Sequence, residues 1–474
     1  MDRLAFRADL QGQAKLDAVT TLLDKLTEDL GKQCLTPDER DTALDQLKIY
    51  GRDPRNADPI FTRDGIETLA RFALESDSRT TCQNALKCLA NAMLLVPSAR
   101  QTFVDLGYGP KACDKLKNDD WEDEFLASRV TLLSTYSKTI KLPTLIDETG
   151  LADNIAQRLA KHAEAASKQD KEALTDPMQV LSLTEITRLL FNLTHLCHEK
   201  ASAFTATIPH LLVLLSKHDI PTPSPLEAPM GPFINALLNL ELESPGLESS
   251  LFPDEAPGAI AARMVELLEQ SLQGYPDHEL EATVTPLVSV IHRTYARAPE
   301  EVSRIMRRAL LPSEKDREGV LGQGDSTSAK MLQNLSNPLA PTLRKAISDL
   351  LFGLSGNDPA TLVKNIGYGF ASGILFEKKL PIPEDMGNPS TSEADASRGR
   401  AFNPVTGQFV DSEKPVDEPE MTEEEKEREA ERLFVLFERL KKTGIVDVQN
   451  PVEQALRDGR FAEIDDKDRV EELD

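Results

Sequence analysis

Ala85-Leu-Lys-Cys-Leu-Ala-Asn91-Ala, Arg188-Leu-Leu-Phe-Asn192-Leu and Ala236-Leu-Leu-Asn239-Leu are three copies of one local pattern, and they decide the fold. Each is an apolar helical run that closes on an asparagine. A degenerate copy, Arg129-Val-Thr-Leu-Leu133, has Leu in the Asn slot. The slots at 91, 133, 192 and 239 are 42, 59 and 47 residues apart, which brackets the roughly 40–47 residues of an armadillo or HEAT unit. Around them, residues 1 to about 380 keep helical apolar spacing and almost no strand-like alternation. The expected fold is all-α: an armadillo/HEAT-type helical repeat superhelix. The uneven steps call for long loops between helices, as in Pro221-Thr-Pro-Ser-Pro225 and the polar stretch from Asp316 to Ser328.

An asparagine on an apolar helix face needs a partner. It can bond a neighbouring backbone loop of its own chain. It can also face a groove and bond a bound partner, as in the asparagine ladder of armadillo repeats. Both readings stand. Asn235 lies one turn before Asn239 on the same face, which favours the second.

From Pro381 to Glu420 the composition turns to Pro, Glu, Asp, Ser and Gly, as expected of a largely disordered, acidic linker. Asn403-Pro-Val-Thr-Gly407 within it is a turn signal. Beyond it, residues 421–474 form a helical tail. Thr422 and Glu425 make a capping box, and Gly444 marks the stop. Leu433, Phe434, Phe437 and Leu440 fall on one face and must cover something. The expected units are therefore a solenoid over 1–380, a linker over 381–420 and the tail.

Composition narrows the function. The 474 residues carry a formal net charge of −25, which argues against nucleic acid and anionic lipid and favours a basic protein partner. Five scattered cysteines without a CxxC pair suit reduced thiols in a cytosolic protein. No apolar segment approaches membrane-spanning length. No P-loop or G-x-S-x-G elbow is present. Gly367, Gly369 and Gly373 have the wrong spacing for a dinucleotide turn and are expected to allow a tight turn and close helix packing. His195 and His198 flank Cys197, but no second cluster completes a metal site. The residues describe a binding protein without metal or cofactor, rather than a bond-making enzyme.

Several segments together resemble the synembryn family, chaperones and guanine-nucleotide exchange factors of heterotrimeric G-protein α subunits. They are Leu86-Lys-Cys-Leu-Ala-Asn91, Arg188-Leu-Leu-Phe-Asn192-Leu-Thr, Gly367-Tyr-Gly-Phe-Ala-Ser-Gly-Ile-Leu375, Asn403-Pro-Val-Thr-Gly407 and Met421-Thr-Glu-Glu-Glu-Lys-Glu with the Leu-Phe helix after it. The resemblance implies a concave solenoid face that captures the C-terminal helix of a Gα subunit, and a tail helix that contacts the Gα nucleotide-binding domain. The positions resembling the family's groove residues are Lys48, Arg52, Asn91, Phe191, Asn192, Asn235 and Asn239; Leu132 replaces an expected aromatic. The tail contacts would be Leu433, Phe434, Phe437 and Leu440. Acidophilic phosphorylation would fall on Ser390, with Glu393 at +3, or Ser392, with Asp395 at +3. A monomer is implied, in the cytoplasm and recruited to the membrane through the G protein. A generic armadillo peptide-binding adaptor without exchange activity is the alternative.

Overall fold

The structure, a computed structural model, describes residues 10–168, 176–381, 383, 403, 405–413 and 428. Among them are nineteen α-helices and no β-strand. In chain order they are α1 (Gly12–Lys32), α2 (Pro37–Tyr50), α3 (Arg63–Glu75), α4 (Arg79–Leu95), α5 (Pro97–Asp105), α6 (Gly109–Lys115), α7 (Trp121–Ser134), α8 (Leu142–Thr149), α9 (Leu151–Ser167) and α10 (Pro177–Leu196). There follow α11 (Ile208–Lys217), α12 (Met230–Asn239), α13 (Glu248–Leu251), α14 (Ala259–Gly274), α15 (Asp277–Arg297), α16 (Glu300–Leu310), α17 (Thr327–Leu335), α18 (Pro341–Leu354) and α19 (Pro359–Glu377).

The helix starts explain where the prolines go. Pro37, Pro97, Pro177, Pro341 and Pro359 each stand in the first turn of a helix, where a missing N–H costs nothing. Side-chain caps reinforce several starts. Thr36 accepts from the Glu39 N–H while Glu39 reaches back, and Asp120, Asp176, Ser78 and Asp358 cap α7, α10, α4 and α19.

Packing sorts these helices into two rows. One runs α2, α4, α7, α10, α12, α15, α18, each helix against the next. The other runs α1, α3, α6, α8, α9, α11, α14, α17. This is the helical repeat arrangement that the sequence periodicity calls for. The apolar interior divides into two clusters. One is built from residues between Val19 and Leu133, the other from residues between Cys113 and Leu375. Helix α7 stands at the division. Its Leu126, Val130 and Leu133 belong to the first cluster and its Ala127 and Leu132 to the second.

A polar seam lies there too. Glu124 of α7 and His162 of α9 are both fully buried, with Glu124 Oε1 2.7 Å from His162 Nε2. Trp121 stacks on His162 at 4.4 Å, and the Arg158 guanidinium is 3.8 Å from Glu124 Oε2.

Part of the span expected as a linker is among the described residues. Residues 403 and 405–413, inside the span expected to be largely disordered, have a defined place. The Gly407 N–H donates to Asn403 O at 2.7 Å, so the turn signalled by Asn-Pro-Val-Thr-Gly forms. Gln408 and Phe409 are buried. The tail-helix residues Leu433, Phe434, Phe437 and Leu440, and the candidate phosphorylation sites Ser390 and Ser392, lie outside the described residues. No described helix is long and apolar enough to cross a membrane.

Candidate functional site

The last turns of the first row's helices present the candidate residues. A helix leaves its last four carbonyls without intrahelical partners, so each C-terminus needs donors from elsewhere. Among the asparagines, Asn91 supplies one such donor, and Asn192 and Asn239 bond other groups of the preceding helix. Asn91 Nδ2 reaches Lys48 O at the end of α2, a long contact of 3.5 Å. Asn192 Nδ2 donates to Thr135 Oγ1 just past α7. Asn239 Nδ2 donates to Phe191 O on α10 at 3.3 Å. Each asparagine thus ties its helix to the preceding one in the row, and the same-chain reading of these residues accounts for their amide nitrogens.

Where the pattern lacks an asparagine, arginine takes over. The slot at Leu133 has no polar group to offer. There Arg100 of α5 caps α4 instead, donating Nε to Met93 O at 2.5 Å and Nη2 to Leu94 O at 3.1 Å. One step beyond Asn239, Arg293 of α15 donates to Leu238 O and Leu240 O, both at 2.7 Å. Sequence reasoning missed Arg100 and Arg293 because it sought one residue type at one spacing. The physical requirement is only a donor at each helix end, and a cation there also favours the dipole.

These side chains keep hydrogen-bonding capacity that the fold leaves unused, Asn192 being buried and Asn91, Asn235 and Asn239 half-buried. The Oδ1 atoms of Asn91, Asn192 and Asn239, and the whole Asn235 amide, have no hydrogen-bond partner among the described residues. Apolar groups are exposed beside them: Leu94 at 46%, Tyr136 at 54% and Leu196 at 48%. His195 stacks on Phe191 at 5.5 Å. It is an edge residue of this surface, and no cluster of three or more His, Cys, Asp or Glu that could hold a metal occurs among the described residues.

The α2 end of this edge is cationic. Lys48 pairs with Asp45, and Arg52 is exposed just past the helix. A cavity of about 310 Å³ adjoins Arg52, lined also by Lys15, Tyr50, Asp53 and Arg55. Lys15 is buried and donates to Asp53 O and Arg55 O, each at 2.8 Å, which holds the turn that carries Arg52. Burial pulls the Lys15 ammonium below its ordinary pKa, with Asp53 opposing. Hydrogen bonds from the Arg55 side chain hold the Asp53 carboxyl down at about 2. One edge of one row therefore offers cations at its start, then amide acceptors interleaved with apolar side chains. The arrangement suits an amphipathic segment with an acidic end.

Comparison with known proteins decides the family. The model described as "Guanine nucleotide exchange factor synembryn" matches residues 43–460. This chain belongs to the synembryn family. A synembryn-like chaperone of Schizosaccharomyces pombe is 26% identical over 79% of this chain and 75% of its own length. Chaperone Ric-8A of Macaca fascicularis is 25% identical over 88% of this chain and 83% of its own, and that of Mus musculus 24% identical over 90% and 85%. The match runs through the helical rows and past the docked residues 405–413 of this synembryn-family chain.

Proposed function

We propose that this protein is a guanine-nucleotide exchange factor and folding chaperone for heterotrimeric G-protein α subunits. The observation that carries the reading is the synembryn match over residues 43–460, which spans both the helical rows and the tail. In this reading the C-terminal edge of the first row is a groove for the Gα C-terminal helix. Arg52 and Lys48 meet its acidic end, and Asn91, Asn192, Asn235 and Asn239 offer acceptors along it. Phe191 with Leu94, Tyr136 and Leu196 takes its apolar face. The tail helix lays Leu433, Phe434, Phe437 and Leu440 on the Gα nucleotide-binding domain.

Exchange needs no covalent step. A protein that binds nucleotide-free Gα more tightly than nucleotide-bound Gα lowers nucleotide affinity by the same factor. The same preference stabilises Gα that has not yet acquired nucleotide, which is the chaperone activity. The cytoplasm, with recruitment to membranes through the G protein, is the place such a partner requires.

The test is release of GDP from a purified Gα in the presence of this protein. Acceleration that saturates with protein concentration supports the proposal. Tight binding of a Gα C-terminal peptide without faster release would assign the protein to the peptide-binding adaptors instead. The sole tryptophan speaks against that alternative. Trp121 stacks on His162, with Lys161 over its ring at 4.7 Å, and forms no ladder.

A further inference from the structure

Helix α19 breaks at Gly367, whose backbone (φ 76°, ψ 154°) is not helical. A break in a helix strands carbonyls and N–H groups that would have paired four residues apart. Here both sides are satisfied by residues distant in the chain. The Gly369 N–H, the helical partner of Asn365 O, donates instead to Val405 O at 3.0 Å. Asn365 O accepts from Arg317 Nη2 at 2.7 Å, and Lys364 O from the same nitrogen at 3.0 Å. Arg317 Nη1 then reaches across to Gly407 O at 2.7 Å, and its own carbonyl accepts the Phe409 N–H at 2.9 Å. The guanidinium bridges the broken helix and the strap of residues 403–412, alongside these backbone bonds.

The crossing leaves no room for side chains. A Cβ on Gly367 would lie 2.9 Å from Gly407 N, and one on Gly407 would lie 2.5 Å from Leu321 Cδ1. Gly407 also has a φ of 72°, which other residues resist. Gln408 Nε2 adds a bond to Glu318 O at 3.3 Å. Burial lowers the Arg317 pKa from its ordinary value, with Asp316 opposing.

We infer that Arg317 is a positioning residue for nucleotide release: by clamping residues 403–412 to the break in α19, it fixes the point from which the tail reaches Gα. The inference rests on the proposed role of the tail. Its size follows from tether length. Counted along the chain from the strap, Thr422 is 10 residues past Ser412. Counted along the chain from Pro381, on the near side of the strap, Thr422 is 41 residues away. Effective concentration falls as about the −3/2 power of tether length, so release of the strap lowers it roughly eightfold.

The experiment measures GDP release from purified Gα and affinity for a Gα C-terminal peptide, using full-length variants. Arg317→Ala should slow release roughly eightfold and leave peptide affinity and the thermal melt unchanged. Gly407→Ala should do the same from the other side of the clamp, and the two together should cost no more than either alone. Deleting residues 385–400 in the Arg317→Ala background leaves 25 of the 41 residues and should speed release about twofold. A merely structural arginine would not respond to that deletion. If Arg317→Ala and Gly407→Ala release GDP at the wild-type rate while Phe434→Ser with Phe437→Ser is slow, the inference is overturned and the role of the tail stands. If the double Phe variant is also unimpaired, both are overturned. Parallel loss of peptide affinity and melt in the Arg317 variant overturns the inference as well.

Discussion

The seam between α7 and α9 and the clamp at the α19 break both draw ionisable groups out of solvent, and they solve the problem differently. Between α7 and α9, Glu124 and His162 face each other with no exposed surface. Glu124 Oε2 and His162 Nδ1 have no hydrogen-bond partner, and neither do the buried hydroxyls of Ser128, Thr131 and Ser182. At the α19 break, Arg317 meets backbone carbonyls from both sides of the crossing, on Lys364, Asn365 and Gly407. The first is an under-satisfied seam at the division between two apolar clusters. The second is a well-satisfied clamp on a segment that the core does not need. Unmatched polar groups inside a core cost global stability. Matched ones at its margin decide where a segment is held.

The largest effect should come from the seam. Glu124→Ala leaves the buried His162 without its partner and should cost about 3–5 kcal/mol in urea unfolding. Glu124→Leu combined with His162→Phe removes both polar partners and should be neutral or stabilising. Equal destabilisation by the single and double variants would show that the pair is well satisfied, and the contrast with the clamp would vanish.

The clamp should respond locally. Gly407→Val forces a branched residue into the left-handed region and against Leu321, a strain of about 1–3 kcal/mol. Detachment of the strap should relieve that strain. Amide exchange at Gly369 should accelerate while the urea midpoint of the helical rows barely moves. A large midpoint shift would place the strap in the core's cooperative unit.

The asparagine edge lies between these extremes. Asn239→Ala removes one bond to the Phe191 carbonyl of α10, worth about 0.5–1.5 kcal/mol of stability. In the proposed groove it also removes an unused acceptor. Affinity for a Gα C-terminal peptide should therefore fall, by an amount that persists when corrected for the folded fraction. Unchanged affinity per folded molecule would make this asparagine solely a tie between helices.

A further test is a pH dependence at the seam's border. Burial pushes His218 down to about 4, with the nearby His162 adding to the depression. An unfolded histidine titrates near 6.5, so between about pH 6.5 and 4 the unfolded chain binds more protons. Stability from this group is complete above pH 6.5 and is lost as pH falls towards 4. His210 and His292 shift in the same direction, also through burial. Urea midpoints at pH 7.5 and 4.5 should differ less in His218→Gln than in the wild type.

Local signals carried much of the architecture. The apolar run closing on asparagine located the ends of α4, α10 and α12. The Asn-Pro-Val-Thr-Gly turn also needed only its own residues, because Pro and Gly set backbone angles directly. Linker composition alone does not show how residues 405–413 are held. A polar, glycine-bearing segment can stay ordered without a core of its own when a neighbour supplies hydrogen bonds, and that neighbour lies far away in the chain. Arg317 is 90 residues from the carbonyl of Gly407. Arg100 and Arg293 were equally silent, since an arginine outside a motif looks like any surface cation.

The sequence by itself determined that this chain is a row of helices and which family it resembles. Periodicity, caps and breakers act within a few residues, so they can be read in order. Tertiary structure alone decided which donor closes each helix end, that polar groups gather between the two apolar clusters, and that residues 403–412 lie across α19. Those outcomes depend on which groups meet across 40 to 90 residues. Spacing along the chain does not encode such meetings, because unpaired carbonyls accept any donor that packing brings within reach.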